Sequence, residues 1–359
     1  MALKKQDRRL KVGILGCGPI AQFAHFESAV KARNCDLYAI CDVADDLVKR
    51  MGDTYLPEKR FNDYEKMLVD PELNAVIIAT SDEFHVPASI MALNAGKHVL
   101  CEKPIGIGVE EVEDLAAAVK KSGKVLQIGH MLRFDPGLEA GRVFAQNEMG
   151  QQLAFKAWYC DSTHRYAMTD AVQPLPILSA SARRPLVNPK AHLKRYYMLA
   201  HGCHLLDLAR YFCSEITEVN ARLNEKFGAY SWFIDVDFAN GCMGHLDLTV
   251  AIRMDWSEGL TLYGEHGSVA AKTYNPWYYK SSDVEIFHEK DATYRRPLGA
   301  DGHFYRRQLE SFADVILDGA LMRGADIQDG IASVRAMVAV AQSVQTGKSV
   351  RLADVGGPV

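Results

Sequence analysis

The stretch His98-Val99-Leu100-Cys101-Glu102-Lys103-Pro104 sets an acid, an amine and a proline at the end of a short apolar run. Open α/β sheets bind ligands outside the carboxyl ends of their strands, so a strand here would put Lys103 at such a site. Pro104 stiffens the turn and fixes where Lys103 points. A partly desolvated lysine loses its proton more readily. It can then take a hydroxyl proton or hydrogen-bond a forming carbonyl oxygen. The competing reading is a surface Glu–Lys pair, which is common and weak.

A second group is Ala200-His201-Gly202-Cys203-His204-Leu205-Leu206-Asp207. At helical spacing His201, His204, Asp207 and Tyr211 share one face. Imidazole titrates nearest neutrality and suits proton exchange with a hydroxyl. Asp207 can orient His204 or bind a substrate hydroxyl. The alternatives are histidines hydrogen-bonded in a core, or a metal site built from His201, Cys203, His204 and Asp207. No metal is expected, because Cys203 points off the shared face and the spacing matches no familiar zinc pattern.

The third group is Gly16-Cys17-Gly18-Pro19-Ile20-Ala21, which fits G-x-G-x-x-[GA] between an apolar run and a helical pattern. Gly16 permits a tight turn, Gly18 lets the backbone approach a pyrophosphate, and Ala21 allows close helix–strand packing. Pro19 suits a first helical turn. The pattern predicts a dinucleotide site. Asp42, at the end of the next apolar run, can accept hydrogen bonds from the adenine ribose and repels a 2′-phosphate, which predicts NAD rather than NADP. Its competing role is to cap the following helix. His85, after Thr80-Ser81-Asp82-Glu83-Phe84, is placed beside the nicotinamide ribose or at a helix start. Arg133 and Asp135 fall where the chain passes between domains and can form a structural ion pair. Arg183-Arg184-Pro185 and Lys194-Arg195-Tyr196-Tyr197 can close over the cofactor, bind an anionic group or form a solvated basic loop. Trp277-Tyr278-Tyr279 can stack on a sugar ring, meet a neighbouring subunit or pack on a strand.

The elements that must carry these groups alternate in the first third. Strands are expected at 10–15, 37–41, 75–79, 98–101 and 125–129. Helices are expected at about 19–32, from 43, and at 86–95 and 109–122. Such alternation implies right-handed crossovers and a parallel sheet. Beyond about 130, runs at 153–160, 217–226, 232–238, 242–252, 260–264 and 268–273 predict a large open, mainly antiparallel sheet. Helices are expected at about 199–212, 305–317 and 328–346, and an irregular segment at 161–197. The fold class is therefore α/β. A Rossmann doubly wound parallel sheet in a domain at 1–130 precedes a second α/β domain at 131–359.

The chain has 359 residues, a formal charge of −4 and 24% charged residues, an ordinary soluble composition. It carries no electrostatic footprint for nucleic acid and no apolar run long enough for a membrane helix. Arg8-Arg9 raises the question of a twin-arginine export signal, but the following apolar run breaks into the glycine turn instead of a cleavage site. The eight cysteines form no C-x-x-C pair and read as reduced thiols, which points to the cytoplasm.

Taken together, these segments resemble the glucose–fructose oxidoreductase/inositol dehydrogenase (Gfo/Idh/MocA) family. The matching features are Gly16 to Ala21, Asp42, Ala79-Thr80 with His85, Ala95-Gly96-Lys97-His98-Val99, Glu102-Lys103-Pro104, Arg133 to Pro136 and Gly202 to Arg210. The resemblance implies NAD-dependent oxidoreduction of a sugar or polyol hydroxyl and a homodimer or homotetramer joined through the sheet. It assigns the catalytic lysine to Lys103 and the catalytic histidine to His204, beside cofactor contacts from Thr80, His85 and Glu102. The family expects Asp four residues before that histidine, and Ala200 departs from this. Two alternatives remain open. One is an enzyme that keeps NAD bound and cycles it internally, as a glycosidase or epimerase would. The other is a non-catalytic nucleotide-binding sensor.

Overall fold

The computed structural model of the protein describes residues 8–162, 176–180 and 191–359. Six strands form a parallel sheet: β1 (Leu10–Leu15), β2 (Cys35–Cys41), β3 (Lys59–Phe61), β4 (Ala75–Ile78), β5 (His98–Cys101) and β6 (Leu126–Ile128). Their order is β3-β2-β1-β4-β5-β6, so the chain reverses direction between β1 and β4. All four residues of β4 are buried, as expected for a parallel strand covered on both faces. The helices here are α1 (Phe26–Lys31), α2 (Asp45–Tyr55), α3 (Tyr64–Leu68), α4 (His85–Asn94) and α5 (Val109–Ser122). The strand β3 and the helix α3 are too short to leave a periodic signal in the sequence.

The second sheet has nine strands: β7 (Gln152–Ser162), β8 (Ile216–Lys226), β9 (Ala229–Phe238), β10 (Met243–Ile252), β11 (Ser257–Gly264), β12 (Gly267–Thr273), β13 (Asp283–His288), β14 (Thr293–Arg295) and β15 (Val350–Arg351). Their order is β14-β13-β12-β11-β7-β10-β9-β8-β15. All its pairs are antiparallel except β7 with β10. Burial alternates along β9 and β10, the mark of a sheet with one covered face.

The covered face packs on α6 (Pro136–Asn147), α7 (Leu193–Tyr197), α8 (Cys203–Phe212) and α10 (Ile327–Thr346), with α9 (Phe304–Asp318) set against the first sheet. The sequence reading omitted α6, although its start carries a legible signal: Asp135 accepts from the Gly137 and Leu138 amides, and Pro136 is the first helical residue. The expected helix at 199–212 is split. Its first part is a π turn, Met198–Gly202, leading into α8. The expected helix at 19–32 likewise contains a π turn, Ala21–His25, before α1.

The expected boundary at 130 is crossed by α9. Leu309, Phe312 and Ala313 are buried in the same cluster as Ile14, Phe26, Ile40 and Ile77 of the first sheet and its helix. Asn34 donates to the Glu310 carbonyl at 2.9 Å and to Asp314 at 2.8 Å. The last third of the chain therefore completes the core of the first domain. Phe312→Ala should lower the unfolding free energy by roughly 3–5 kcal/mol, as for other buried aromatic truncations. Urea denaturation checks this, and a surface-like change well below about 1 kcal/mol would remove α9 from that core.

Candidate active site

At the carboxyl end of β1, Gly16 adopts φ +94°, and a Cβ there would lie 2.6 Å from the Ala79 carbonyl oxygen. Only glycine fits this close approach. A Cβ on Gly18 would meet nothing within 4 Å, so the backbone is open on that side. Pro19 is exposed, Ile20 half-buried, and Ala21 is buried at the start of the π turn. Asp42 accepts from the Cys17 amide at 2.6 Å and from the Ala44 amide at 2.8 Å. It thus braces the glycine turn and makes no capping bond to α2. Each carboxylate oxygen retains a lone pair for ribose hydroxyls. The open cradle at Gly18 and the acid at Asp42 fit a dinucleotide with a free 2′-hydroxyl.

Residues 176–180 lie along this edge. Gln22 donates to the Ile177 carbonyl at 3.0 Å, and the Ala180 amide donates to Asp46 at 2.9 Å. Arg183-Arg184-Pro185 lie outside the described residues. Lys194 pairs with Glu225 at 2.9 Å, and Tyr197 meets the His201 ring at 5.9 Å.

Two residues expected to touch the cofactor make protein contacts that tie neighbouring loops together. His85 begins α4, with Nδ1 2.7 Å from the Pro104 carbonyl and Nε2 3.2 Å from that of Thr80. Its ring ties the β4 loop to the β5 loop. The Glu102 carboxylate is buried against His25 Nε2 at 2.9 Å and accepts the Lys103 amide at 3.1 Å. Burial opposes the Glu102 charge, but the His25 hydrogen bond outweighs it and keeps the acid below its usual range.

Lys103 is half-buried, and its Nζ donates to the Ala200 carbonyl at 3.2 Å, joining the first domain to the π turn. Burial disfavours its charge, but the Cys203 sulfur and the Glu102 and Asp82 carboxylates outweigh that effect and lift the amine above its usual value. The expectation of an easily deprotonated lysine is corrected: in this site Lys103 is an ammonium. His204 is 8% exposed, and neither ring nitrogen has a hydrogen-bond partner among the described residues. Burial, then the Lys103 ammonium and the His130 and His201 rings, hold it well below the usual histidine range. It is a neutral imidazole.

The shared face expected for His201, His204, Asp207 and Tyr211 is broken by the π turn. His201 Nδ1 lies 3.0 Å from the Tyr159 hydroxyl, and its Nε2 lies 4.0 Å from Asp161. Cys203 Sγ turns to the Ala200 carbonyl at 3.8 Å. Asp207 makes no hydrogen bond to His204. It receives the Arg133 fork, at 3.0 Å from Nε and 2.6 Å from the second terminal nitrogen. Arg133 also donates to Asp329 at 2.9 Å, and Arg210 lies 3.1 Å from Asp329. Burial opposes the Asp207 charge, while Arg133 and then His130 favour it and bring the acid below its usual range. Arg133 and Asp135 do not pair: Asp135 accepts from Ser281 and Ser282 at 2.8 Å and 2.6 Å. Trp277 stacks on Tyr305 at 5.9 Å and meets Phe23 edge-on at 5.5 Å. Tyr279 packs against His303 at 4.7 Å.

Sequence reasoning missed Tyr159, His130, His25 and Glu258. Tyr159 stacks on His204 with centroids 6.1 Å apart and planes at 8°. Its signal was the alternation of β7, which aligns Phe155, Ala157 and Tyr159 inward. His130 packs edge-on to His204 at 6.4 Å. Glu258 sits opposite Tyr159 on β11, and burial pushes its carboxyl up to about 8.

A dinucleotide cradle at the carboxyl ends of a parallel sheet, facing a cationic lysine and a neutral histidine, defines a nicotinamide-dependent dehydrogenase. Two family models match the chain: the oxidoreductase family with an NAD-binding Rossmann fold over residues 10–130, and the GFO/IDH/MocA C-terminal domain over residues 139–270. The protein belongs to the Gfo/Idh/MocA family of NAD-binding oxidoreductases. The uncharacterized oxidoreductase YrbE of Bacillus subtilis is 26% identical over 319 residues, spanning 86% of this chain and 87% of its own. An inositol 2-dehydrogenase of Rubrobacter xylanophilus is 24% identical over 362 residues, spanning 96% of this chain and 94% of its own. Among solved structures, a probable dehydrogenase from Thermotoga maritima superposes with TM-score 0.76 at 22% identity, covering 96% of this chain and 100% of that one. Levoglucosan dehydrogenase in complex with NADH gives TM-score 0.79 at 18% identity, covering 96% and 99%.

Two measurements test the electrostatics. Asp207→Ala leaves Arg133 short of a buried partner and should cost roughly 3–5 kcal/mol of stability by denaturant titration. Glu258 keeps its proton to about 8 in the folded chain but releases it near 4.5 when unfolded. The folded state therefore binds more protons across that window, and its stability falls as pH rises through it. The melting temperature of wild type should drop relative to Glu258→Gln between about pH 5 and about pH 8. A constant difference would contradict the shift.

Proposed function

We propose that the protein oxidises a secondary hydroxyl of a sugar or polyol, or reduces the corresponding ketone, with His204 and Lys103 as the catalytic residues. The observation that carries this reading is geometric: Lys103 Nζ donates to the Ala200 carbonyl, which places its charge beside the buried, unpartnered imidazole of His204. NAD, when bound, supplies the hydride acceptor. His204 takes the hydroxyl proton as the carbinol C–H bond yields its hydride, and the Lys103 ammonium hydrogen-bonds the oxygen that becomes a carbonyl. Gly16, Gly18, Pro19, Ile20, Ala21 and Asp42 hold the dinucleotide, with Thr80, His85 and Glu102 fixing the loops beside it. Asp207 is a positioning residue that acts through Arg133, and His201 orients the Tyr159 hydroxyl. The relatives named inositol 2-dehydrogenase and the likeness to levoglucosan dehydrogenase support a polyhydroxylated ring as substrate.

In the same reading, residues 1–130 form the NAD-binding domain, its core completed by α9, and the rest of 131–359 forms the substrate and oligomerisation domain. Phe233, Met243 and Tyr263, exposed on the outer face of the second sheet, suit a homodimer or homotetramer joined there. Eight unpaired cysteines suit the cytoplasm. Among the described residues no helix is long and apolar enough to cross a membrane.

A panel of sugars, inositols and anhydrosugars followed by NADH absorbance tests the substrate class. Lys103→Met should lower kcat by roughly 10²–10⁴-fold while NADH binding, read by fluorescence titration, stays within a factor of about two of wild type. Wild-type turnover in that variant would remove Lys103 from the chemistry.

A further inference from the structure

On the floor of the cleft, one strand over from Tyr159, lies a buried carboxyl that the proposed chemistry does not use. Glu258 stands opposite Tyr159 across the β7–β11 pairing and opposite Thr273 across the β11–β12 pairing. Directly opposed residues point to the same face of a sheet, so all three side chains face the helix that carries His204. Trp256 joins them, its ring meeting that of Tyr159 at 4.9 Å. Glu258 Oε1, Thr273 Oγ1 and Trp256 Nε1 are sealed from solvent, and none makes a well-formed hydrogen bond among the described residues. Glu258 is only 2% exposed. Thr273 and Trp256 act on this carboxyl, and its other oxygen, Oε2, is not among the sealed, unpartnered atoms of the described residues. The one open part of this side chain is therefore a carboxyl oxygen on the face shared with Tyr159 and His204.

We propose that Glu258 is a specificity-determining residue of the substrate pocket, where its open carboxyl oxygen receives a ring hydroxyl remote from the reacting carbon. Trp256 and Thr273 enclose the other oxygen and fix the direction of the carboxyl. The ligand chemistry follows from the surroundings. Burial first, and then Asp135 and Asp161, disfavour a negative charge here, so the carboxyl keeps its proton near neutrality. A protonated carboxyl both donates and accepts, which complements a neutral hydroxyl. The substrate class narrows to uncharged polyols and sugars. A site built to hydrogen-bond a hydroxyl also discriminates strongly against an analogue that lacks it.

This inference rests on the proposed dehydrogenase reading, and the test separates the two. Myo-inositol and D-glucose are compared with their monodeoxy derivatives in wild type, E258L and E258Q, reading kcat, KM and the Kd of NADH. Wild type should disfavour the deoxy compound at one ring position by at least about tenfold in kcat/KM. E258L should lose that preference through a raised KM for the parent compound, with the Kd of NADH unchanged. E258Q, which keeps a donor and an acceptor, should retain the preference. Should E258L fail to fold, E258Q decides: wild-type KM should rise above about pH 8 as the carboxyl ionises, and the E258Q profile should stay flat. Deoxy discrimination unchanged in folded E258L, or superimposable pH profiles for wild type and E258Q, overturns the role of Glu258 alone. Absence of turnover by wild type on every compound overturns the dehydrogenase reading, and this inference with it.

Discussion

The Arg133 guanidinium is the point from which the cleft is hung. It lies in the short turn that leaves the first sheet, and it grips Asp207 on α8 and Asp329 on α10. Three segments remote in sequence are thereby held to one charge. Burial would drive an unpaired charge here out of the core, so each acid is required by the arginine and the arginine by each acid. Asp329 shows the strength of the arrangement: burial notwithstanding, Arg133 and Arg210 bring its carboxyl down to about 2. Because Asp207 is one turn beyond His204 on α8, fixing the acid fixes the azimuth of the imidazole.

What the clamp presents is a pair of groups tuned in opposite directions. Lys103 and His204 share burial, which works against charge on both. The carboxylates of Glu102 and Asp82 rescue the lysine, whereas the histidine faces only cations and neutral rings. Environments that separate two proton affinities in this way divide acid and base roles within one site. The π turns contribute on either side. One carries His25 to Glu102, and the other turns the Ala200 carbonyl toward Lys103 and His201 toward Tyr159. Single π turns inserted in α-helices occur often at functional sites.

The parallel sheet, the glycine turn and the lysine turn were legible because their signals are local: an apolar run, a spacing, a proline. The second sheet was legible from its alternation. What could not be read was which acid meets which base. Asp207 looked free at helical spacing from His204, and only the long-range approach of Arg133 shows it committed elsewhere. The sequence set Glu102 and His85 against the cofactor but could not show where their side chains turn, which is to His25 and to two carbonyls. The π turn at Met198–Gly202 breaks the regular helical phase on which the shared face was reckoned. Helix α9 carries no mark in sequence that its apolar stripe belongs to the first domain.

That last feature governs how the chain acquires its shape. The first sheet and its helices are synthesised well before α9, so they lack Leu309, Phe312 and Ala313 until that helix has been made. Until then the part of that cluster covered by Leu309, Phe312 and Ala313 is open. The two sheets are consequently not independent modules joined by a hinge but interleaved parts that mature together. Such late closure raises contact order, slows folding and exposes the nascent chain to self-association. It also gives the finished enzyme a reason to be cooperative, because loosening the C-terminal third withdraws the floor on which the dinucleotide cradle is built.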